Sequence, residues 1–349
     1  MSHLPDDFAA TVESPLIKPH ALIQTLPRTV AITDFILAAR DVTRNIVQGQ
    51  DKRLLVVVGP CSIHDENSTL EYASLLAQAA HVYRHELFIV MRAYFEKPRT
   101  SLGWKGLISD PWLDGSFAIN HGLHLARKIL LQLAALEVPA ATEFLDNIIP
   151  RYLQDLISWS AIGARTSASQ LHRELASGLT MPVGFKNSTD GNVQVAVDAV
   201  QTARHQHRFL GISPAGDAAI LQTAGNDDCH IVLRGSQQTV NYSSQDVNRA
   251  VNALAKAGLS QRLMIDCSHG NSMKDFMQQP LVIDAVAEQI SQGSSHILGV
   301  MLESHLQSGR QNIDADKPLV YGQSVTDACL SWQETLPLLE KLAKAVSRH

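Results

Sequence analysis

The 349-residue chain contains no stretch of about 18 uncharged apolar residues, which argues against a membrane-spanning helix. Its first ten residues, MSHLPDDFAA, have neither the basic start nor the apolar centre of a secretory signal. A cytoplasmic protein with no membrane partner is the expectation. Cysteine is scarce and scattered: Cys61, Cys229, Cys267 and Cys329 form no CxxC pair, which speaks against a disulfide framework or a four-thiolate zinc site. Positive charge is in the minority. Twenty-nine Lys and Arg against 34 Asp and Glu leave a net charge of -5, the wrong sign for a broad face that wraps nucleic acid. No nucleic-acid partner is expected, and any cationic site must be local. The chain also lacks GxxxxGK[ST] and a GxGxxG after a first strand, which disfavours nucleoside triphosphates and dinucleotides as ligands. No internal repeat or low-complexity tract is present. Hydrophobic residues at 45%, charged residues at 18% and a mean hydropathy of -0.03 describe an ordinary folded protein.

What the chain does contain is a series of short apolar runs: LLVVVG from Leu54, ELFIVMR from Glu86, VPAATE from Val138 and SWSAIGAR from Ser158, then PVGFKN from Pro182, CHIVLRG from Cys229, RLMIDCSH from Arg262 and HILGVMLES from His296. Continuous rather than alternating apolar character indicates strands buried on both faces, and therefore parallel. Amphipathic helical patterns lie between them at 68–84, 116–136, 193–204, 246–257 and 275–290. Eight such units predict an α/β fold of the (β/α)₈ TIM-barrel type. Two additions are not needed to close a barrel: residues 1–50, with a helical pattern over 32–48, and a β-hairpin around PAGD at roughly 209–224. The barrel then occupies 51–349, and assembly or regulation is the expected role of the additions. A long Gly- and Pro-punctuated loop, EKPRTSLGWKGLISDP, follows the second strand and is expected to be functional.

Barrel enzymes place their chemistry just past the carboxyl ends of the strands. Here those positions hold Cys61, Arg92, Lys97, Glu143, Arg165, Lys186, Arg234, Asp266, His269 and Glu303. Five cations, Arg92, Lys97, Arg165, Lys186 and Arg234, converging in an acidic protein require an anion, and Arg forks suit both phosphate and carboxylate. A small phosphorylated acid is the expected substrate. The alternative, that some of these cations form scaffold ion pairs with Glu143, Asp266 or Glu303, stays open at this point. Cys61, His269, Glu303 and Asp327 form a second group, brought together because the first and last strands of a closed barrel are neighbours. A mixed S, N, O donor set suits one divalent first-row metal, Mn²⁺, Fe²⁺, Co²⁺ or Zn²⁺, better than Mg²⁺ or Ca²⁺. For Cys61 alone, an ordinary buried thiol is the competing reading.

Taken together, GPCSIHD from Gly59, YFEKPRT from Tyr94, GWKGLISDP from Gly103, AIGART from Ala161, PVGFKN from Pro182, HIVLRG from His230, DCSHGNS from Asp266, MLESHL from Met301 and SVTDAC from Ser324 resemble the 3-deoxy-D-arabino-heptulosonate 7-phosphate (DAHP) synthases, type I alpha branch. The resemblance covers nearly the whole chain, including both additions. It implies condensation of phosphoenolpyruvate with erythrose 4-phosphate, releasing phosphate, as the first step of the shikimate pathway. Arg92, Lys97, Arg165, Lys186 and Arg234 would then hold phosphoenolpyruvate, with Arg165 and Arg234 mainly on its phosphate, and Arg99 and Thr100 would grip the erythrose phosphate. Cys61, His269, Glu303 and Asp327 would be the metal ligands. Lys97 would protonate the forming alkoxide and Glu143 would position the attacking water.

The resemblance further implies feedback inhibition by an aromatic amino acid in a homotetramer or homodimer, with an effector pocket at Asp7, Pro150, Leu179, Thr180, Phe209, Gly211 and Leu221. Gly211, where phenylalanine-sensitive relatives tend to carry Ser, leaves room for a phenolic hydroxyl and points to tyrosine. Many relatives have Gly at the positions of Ser188 and Ser236, and the latter adjoins Arg234. Cys329, two residues after Asp327, is expected to approach Cys61 and to form a reversible, inactivating disulfide in metal-free protein, unless it is an ordinary buried thiol. The rival readings are an eight-carbon sugar acid synthase using arabinose 5-phosphate, whose members generally lack the two additions, and a silent aromatic-amino-acid sensor. The intact Cys61, Lys97, His269, Glu303 and Asp327 oppose the sensor.

Overall fold

The aliphatic runs form strands with no solvent-facing side: β1 (Leu54–Gly59) and β10 (Ile297–His305) are buried at every position. A computed structural model describes residues 11–99, 102–314 and 316–348. The remaining ring strands are β2 (Leu87–Arg92), β3 (Ala140–Glu143), β4 (Trp159–Ile162), β5 (Val183–Lys186), β8 (Cys229–Leu233) and β9 (Leu263–Asp266). All neighbours in the ring pair in parallel, and β1 closes on β10, giving the expected eight-stranded barrel. Two further features lie outside the ring. β6 (Arg208–Ile212) and β7 (Ala218–Gln222) form an antiparallel hairpin, and β11 (Leu330–Ser331) extends from β10.

The outer helices are α3 (Glu66–Val82), α4 (Ile119–Ala135), α5 (Pro150–Leu153), α6 (Gln170–Ala176), α7 (Gln194–Ala203), α8 (Ser244–Lys256), α9 (Gln279–Ser291) and α10 (Trp332–Ser347). Their starts follow side-chain chemistry. Ser243 with Asp246 and Ser331 with Glu334 form capping boxes for α8 and α10, and Asp65 accepts from the Ser68 N–H to begin α3. Two helices begin later than the periodicity predicts. Phe117 takes the left-handed conformation at φ 50°, so α4 starts only at Ile119, and a 3₁₀ turn over Phe276–Gln278 delays α9. At four and seven residues, α5 and α6 are too short to display a periodic pattern. No single helix among the described residues is long and apolar enough to cross a membrane.

Ahead of the barrel lie α1 (Pro19–Thr25) and α2 (Val30–Gln48). The barrel interior is filled by Leu55, Val57, Val90, Trp159, Met264 and Leu298 among others, and the buried Ile46 and Val47 of α2 join that cluster. Because Leu55 and Leu298 stand at strand starts, α2 plugs the amino-terminal mouth. Polar contacts secure it there. Arg40 donates to the Ile157 carbonyl at 2.8 Å and to Thr180 Oγ1 at 2.9 Å, while Arg44 and Gln48 reach Asp228 at 2.8 and 2.9 Å. Gly184 serves the same interior: a Cβ there would lie 2.5 Å from the Trp159 ring. Ile46→Ala, which empties part of the plug, is expected to lower the unfolding free energy by about 2–5 kcal/mol. Urea unfolding measures this, and an unchanged midpoint would contradict the plug.

Candidate active site

Strand geometry delivers the charged residues to one end. Arg92, Glu143, Lys186 and Asp266 are the last residues of β2, β3, β5 and β9, and Arg234 is the first after β8. A cavity of ≈ 470 Å³ at this end is lined by Lys97, Arg99, Glu143, Arg165, Lys186 and Arg234 together with His269, Glu303 and Asp327. Lys274 and Arg310, which sequence reading did not single out, also reach it. Glu143 finds its place because residue 163 is glycine, since a Cβ there would lie 2.2 Å from Glu143 Oε1.

Three of the four expected metal ligands, Cys61, Glu303 and Asp327, each offer a donor atom within 4.8 Å of the others. The Cys61 thiol donates to Asp327 Oδ2 across 3.4 Å. His269 stands beside this group rather than inside it, with Nε2 3.8 Å from Glu303 Oε1. Its other nitrogen is occupied: Nδ1 lies 2.9 Å from Asp266 Oδ2 and 2.6 Å from Ser268 Oγ. Ser268 Oγ donates to Asp266 Oδ1 at 2.8 Å and so accepts from Nδ1, which keeps the proton on Nδ1 and leaves the Nε2 lone pair available to a cation, the usual second contact of a metal-binding histidine. Burial pushes the Cys61 thiol up to about 12, with Glu303 adding to the rise and Lys97 opposing it. A divalent ion fits this donor set, because its charge would stabilise the thiolate and offset the mutual repulsion of the carboxylates.

The five cations divide by partner. Arg92 is fully buried, 3.1 Å from Glu303 Oε1, with its guanidinium carbon 4.0 Å from the Tyr94 ring centroid and Nη1 2.8 Å from Met301 Sδ. Lys186 is 3.0 Å from Asp266 Oδ2. That oxygen also faces His269, in ion-pair contacts rather than aligned hydrogen bonds. Arg92 and Lys186 therefore form ion pairs with two of the carboxylates that the scaffold alternative named. Lys97 sits 3.0 Å from Cys61 Sγ. Arg165 and Arg234 line the cavity without an ion pair among the described residues, and burial, then nearby Arg165, lowers the Arg234 pKa against the pull of Asp266. Two neighbouring guanidinium groups without an ion pair among the described residues are suited to an anion.

Several supporting residues escaped sequence reading. Gln279, at the start of α9, clamps the Glu303 backbone, donating to its carbonyl at 3.0 Å and accepting from its N–H at 2.8 Å. A lone glutamine on a helix carries no signal of such a contact. Asp266 was visible as a strand-end carboxylate, but its double engagement with Lys186 and His269 was not. The two serine departures are also resolved. Ser236 Oγ accepts from the N–H groups of Gln238 and Thr239 at 3.0 and 2.8 Å, closing a turn, and Ser188 Oγ bonds Asp190 and the Asn192 carbonyl.

Of the effector residues, Pro150 opens α5, Leu179 is buried, and Phe209 and Leu221 are paired across the hairpin. Thr180 is the exposed acceptor of Arg40. Leu221 already fills the room expected at Gly211, because a Cβ there would lie 2.4 Å from Leu221 Cδ1. Asp7 and Thr100 lie outside the described residues. Cys329 Sγ is 3.4 Å from the Cys61 backbone N–H, and both thiols are free and buried. Asp266→Asn leaves Lys186 buried without a counter-charge and is expected to cost about 3–5 kcal/mol of stability. Urea unfolding at neutral pH checks it, and parity with the parent would contradict the ion-pair assignment.

The DAHP synthetase I family model matches residues 30–340. The Phe-sensitive phospho-2-dehydro-3-deoxyheptonate aldolase of Escherichia coli (strain K12) is 51% identical over 346 residues, covering 99% of both chains. The Trp-sensitive enzyme of Enterobacter agglomerans is 53% identical over 334 residues, covering 96% of both. The solved structure of phospho-2-dehydro-3-deoxyheptonate aldolase from Francisella tularensis SCHU S4 matches with a TM-score of 0.95 at 49% identity, covering 97% of this chain and 99% of that one. With the family model running from α2 through the barrel into α10, and relatives near half identity along almost the full length, the chain belongs to the DAHP synthetase I family.

Proposed function

We propose that the chain joins phosphoenolpyruvate to erythrose 4-phosphate, giving DAHP and inorganic phosphate, as the first step of the shikimate pathway. One observation carries the reading: a single cavity lined by Arg165 and Arg234 together with His269, Glu303 and Asp327, the two carboxylates grouped with the buried Cys61 thiol. Arg165 and Arg234 take the enol phosphate, and Arg92, Lys97 and Lys186 complete the hold on the molecule. Arg99 and Thr100 receive the sugar phosphate. One divalent ion, Mn²⁺, Fe²⁺, Co²⁺ or Zn²⁺, held by Cys61, His269, Glu303 and Asp327, would supply Lewis-acid polarisation of the aldehyde.

The remaining work falls to side chains. Holding both substrates in one cavity brings carbon 3 of phosphoenolpyruvate to the aldehyde carbon. Burial alone would lower the pKa of Lys97, but Cys61, Asp327 and Glu303 outweigh it and raise it, so the ammonium is charged and can protonate the new alkoxide. Glu143 orients water onto the electron-poor carbon 2 and takes its proton, and the resulting hemiketal phosphate loses inorganic phosphate. Phosphate release is expected with phosphoenolpyruvate plus erythrose 4-phosphate, to be abolished by chelator, and to fall by about 10²–10⁴ in Lys97→Ala. Release with arabinose 5-phosphate instead would favour the eight-carbon synthase, and release with neither sugar the sensor. The chelated protein, oxidised in air, is expected to carry a Cys61–Cys329 disulfide, and mass spectrometry finding both thiols free would remove that part.

An aromatic amino acid bound at Asp7, Pro150, Leu179, Thr180, Phe209, Gly211 and Leu221 is the proposed feedback effector, and tyrosine the proposed identity. Gly211 carries the choice, with the requirement that Leu221 rotate away to admit the hydroxyl. Assembly as a homotetramer or homodimer belongs to the same reading. The outward pair Leu210 and Ile220, 80% and 78% exposed and directly opposite on the hairpin, gives an apolar face that a second copy would cover. Inhibition measured with each of the three aromatic amino acids is expected to be strongest with tyrosine, and selective inhibition by phenylalanine would overturn it.

A further inference from the structure

All four polar atoms in the backbone of Arg234 and Gly235 are held by asparagines. Asn187 Oδ1 accepts from the Arg234 N–H at 2.8 Å, and Asn187 Nδ2 donates to the Gly235 carbonyl at 3.0 Å. The Asn271 backbone N–H donates to the Arg234 carbonyl at 3.2 Å, and Asn241 Oδ1 accepts from the Gly235 N–H at 2.7 Å. The set then closes on itself. Asn241 Nδ2 donates to Asn187 Oδ1 at 3.2 Å, and Asn271 Oδ1 accepts from the Asn241 N–H at 2.8 Å. Asn271 Nδ2 completes it, donating to the carbonyls of Leu233 and Asp266 at 3.1 and 2.9 Å.

The location of this network matters as much as its completeness. Asn187 directly follows Lys186, and Asn271 lies two residues past His269, so three strand-end loops carrying a substrate cation or a metal ligand are joined. Asn187 and Asn271 are 0% and 2% exposed, where an unpaired amide is costly. The loops also touch backbone to backbone. Gly235, at φ 68°, would bring a Cβ within 2.6 Å of the Gly270 carbonyl carbon, and a Cβ at Gly270 would lie 2.4 Å from the Ser236 oxygen. Only a side chain with an acceptor and two donors on one short stem meets this pattern: Asp lacks the donors and Gln adds a methylene. Arg234 makes no ion pair among the described residues that would anchor its fork, so the placement of its backbone helps set where the guanidinium arrives.

We propose that Asn187, Asn241 and Asn271 are positioning residues that fix Arg234 against the phosphate of phosphoenolpyruvate and tie its placement to Lys186 and His269. The inference rests on the reading that Arg234 binds that phosphate. Asn241 is the member to test, because it is only half-buried and its substitution leaves the two buried amides in place. Asn241→Ala in the metal-loaded enzyme is expected to raise KM for phosphoenolpyruvate about tenfold, with kcat and KM for erythrose 4-phosphate within about twofold. Asn241→Asp retains the acceptor for the Gly235 N–H but loses the donor to Asn187 Oδ1, and is expected to recover only part of the KM loss. In an Arg234→Ala background, Asn241→Ala is expected to change KM no further, because the two act through one contact. An unchanged KM in Asn241→Ala, or an equal loss for both substrates, overturns the positioning role while Arg234→Ala still raises KM. If Arg234→Ala itself leaves KM unchanged, the phosphate assignment fails and the inference falls with it.

Discussion

The seam where the last ring strand meets the first is the contact on which the site depends. β1 and β10 pair with Gly59 opposite Glu303, and that register brings the Cys61 loop alongside the Glu303 carboxylate. On its other side Gly59 permits the close approach of β2: its φ of 151° suits glycine, and an added Cβ would press within 3.1 Å of the Arg92 backbone. Asp327 then completes the donor group from the segment leading into β11, which itself pairs with the end of β10. A slip of one residue at the seam would turn Glu303 from the cavity to the outer layer, because side chains alternate along a strand.

Around that seam the structure buries cations in a chain whose net charge is -5. Arg92 with Glu303 and Lys186 with Asp266 are pairs at 0–3% side-chain exposure. Such pairs recover in attraction roughly what they lose in desolvation, so they contribute little net stability. Their consequence is placement. They hold two cations and a ligand carboxylate at set positions, and Asp266 simultaneously turns His269 toward the donor group. Arg165 and Arg234 make no ion pair among the described residues, and they are the groups proposed to meet an incoming phosphate.

The additions proposed to carry control meet the barrel at its opposite end. α2 fills the amino-terminal mouth with Ile46 and Val47, and its Arg40 touches Thr180, beside the buried Leu179 of the proposed effector segment. The hairpin is anchored to the same region through the Ser177–Thr223 hydroxyl contact at 2.7 Å. Extension, hairpin and barrel core are therefore in continuous contact.

Much of this was legible from residues alone, because local chemistry repeats. The ring strands could be read from continuous apolar runs, the site residues from ionisable groups at strand ends, and the hairpin from PAGD between two apolar segments. Short elements were not legible: α5 and α6 span too few turns to show a period, and the late starts of α4 and α9 depend on a left-handed Phe117 and a 3₁₀ turn. Sequence determined which chemical groups the protein possesses and on which strand ends they sit. Only tertiary structure decided their partners: Arg92 and Lys186 in ion pairs, Arg165 and Arg234 free of them among the described residues, His269 set beside the donor group, Leu221 in the space at Gly211. Residue type specifies what a side chain can bind, whereas its actual partner depends on distances between segments far apart in the chain, which exist only once the barrel has closed.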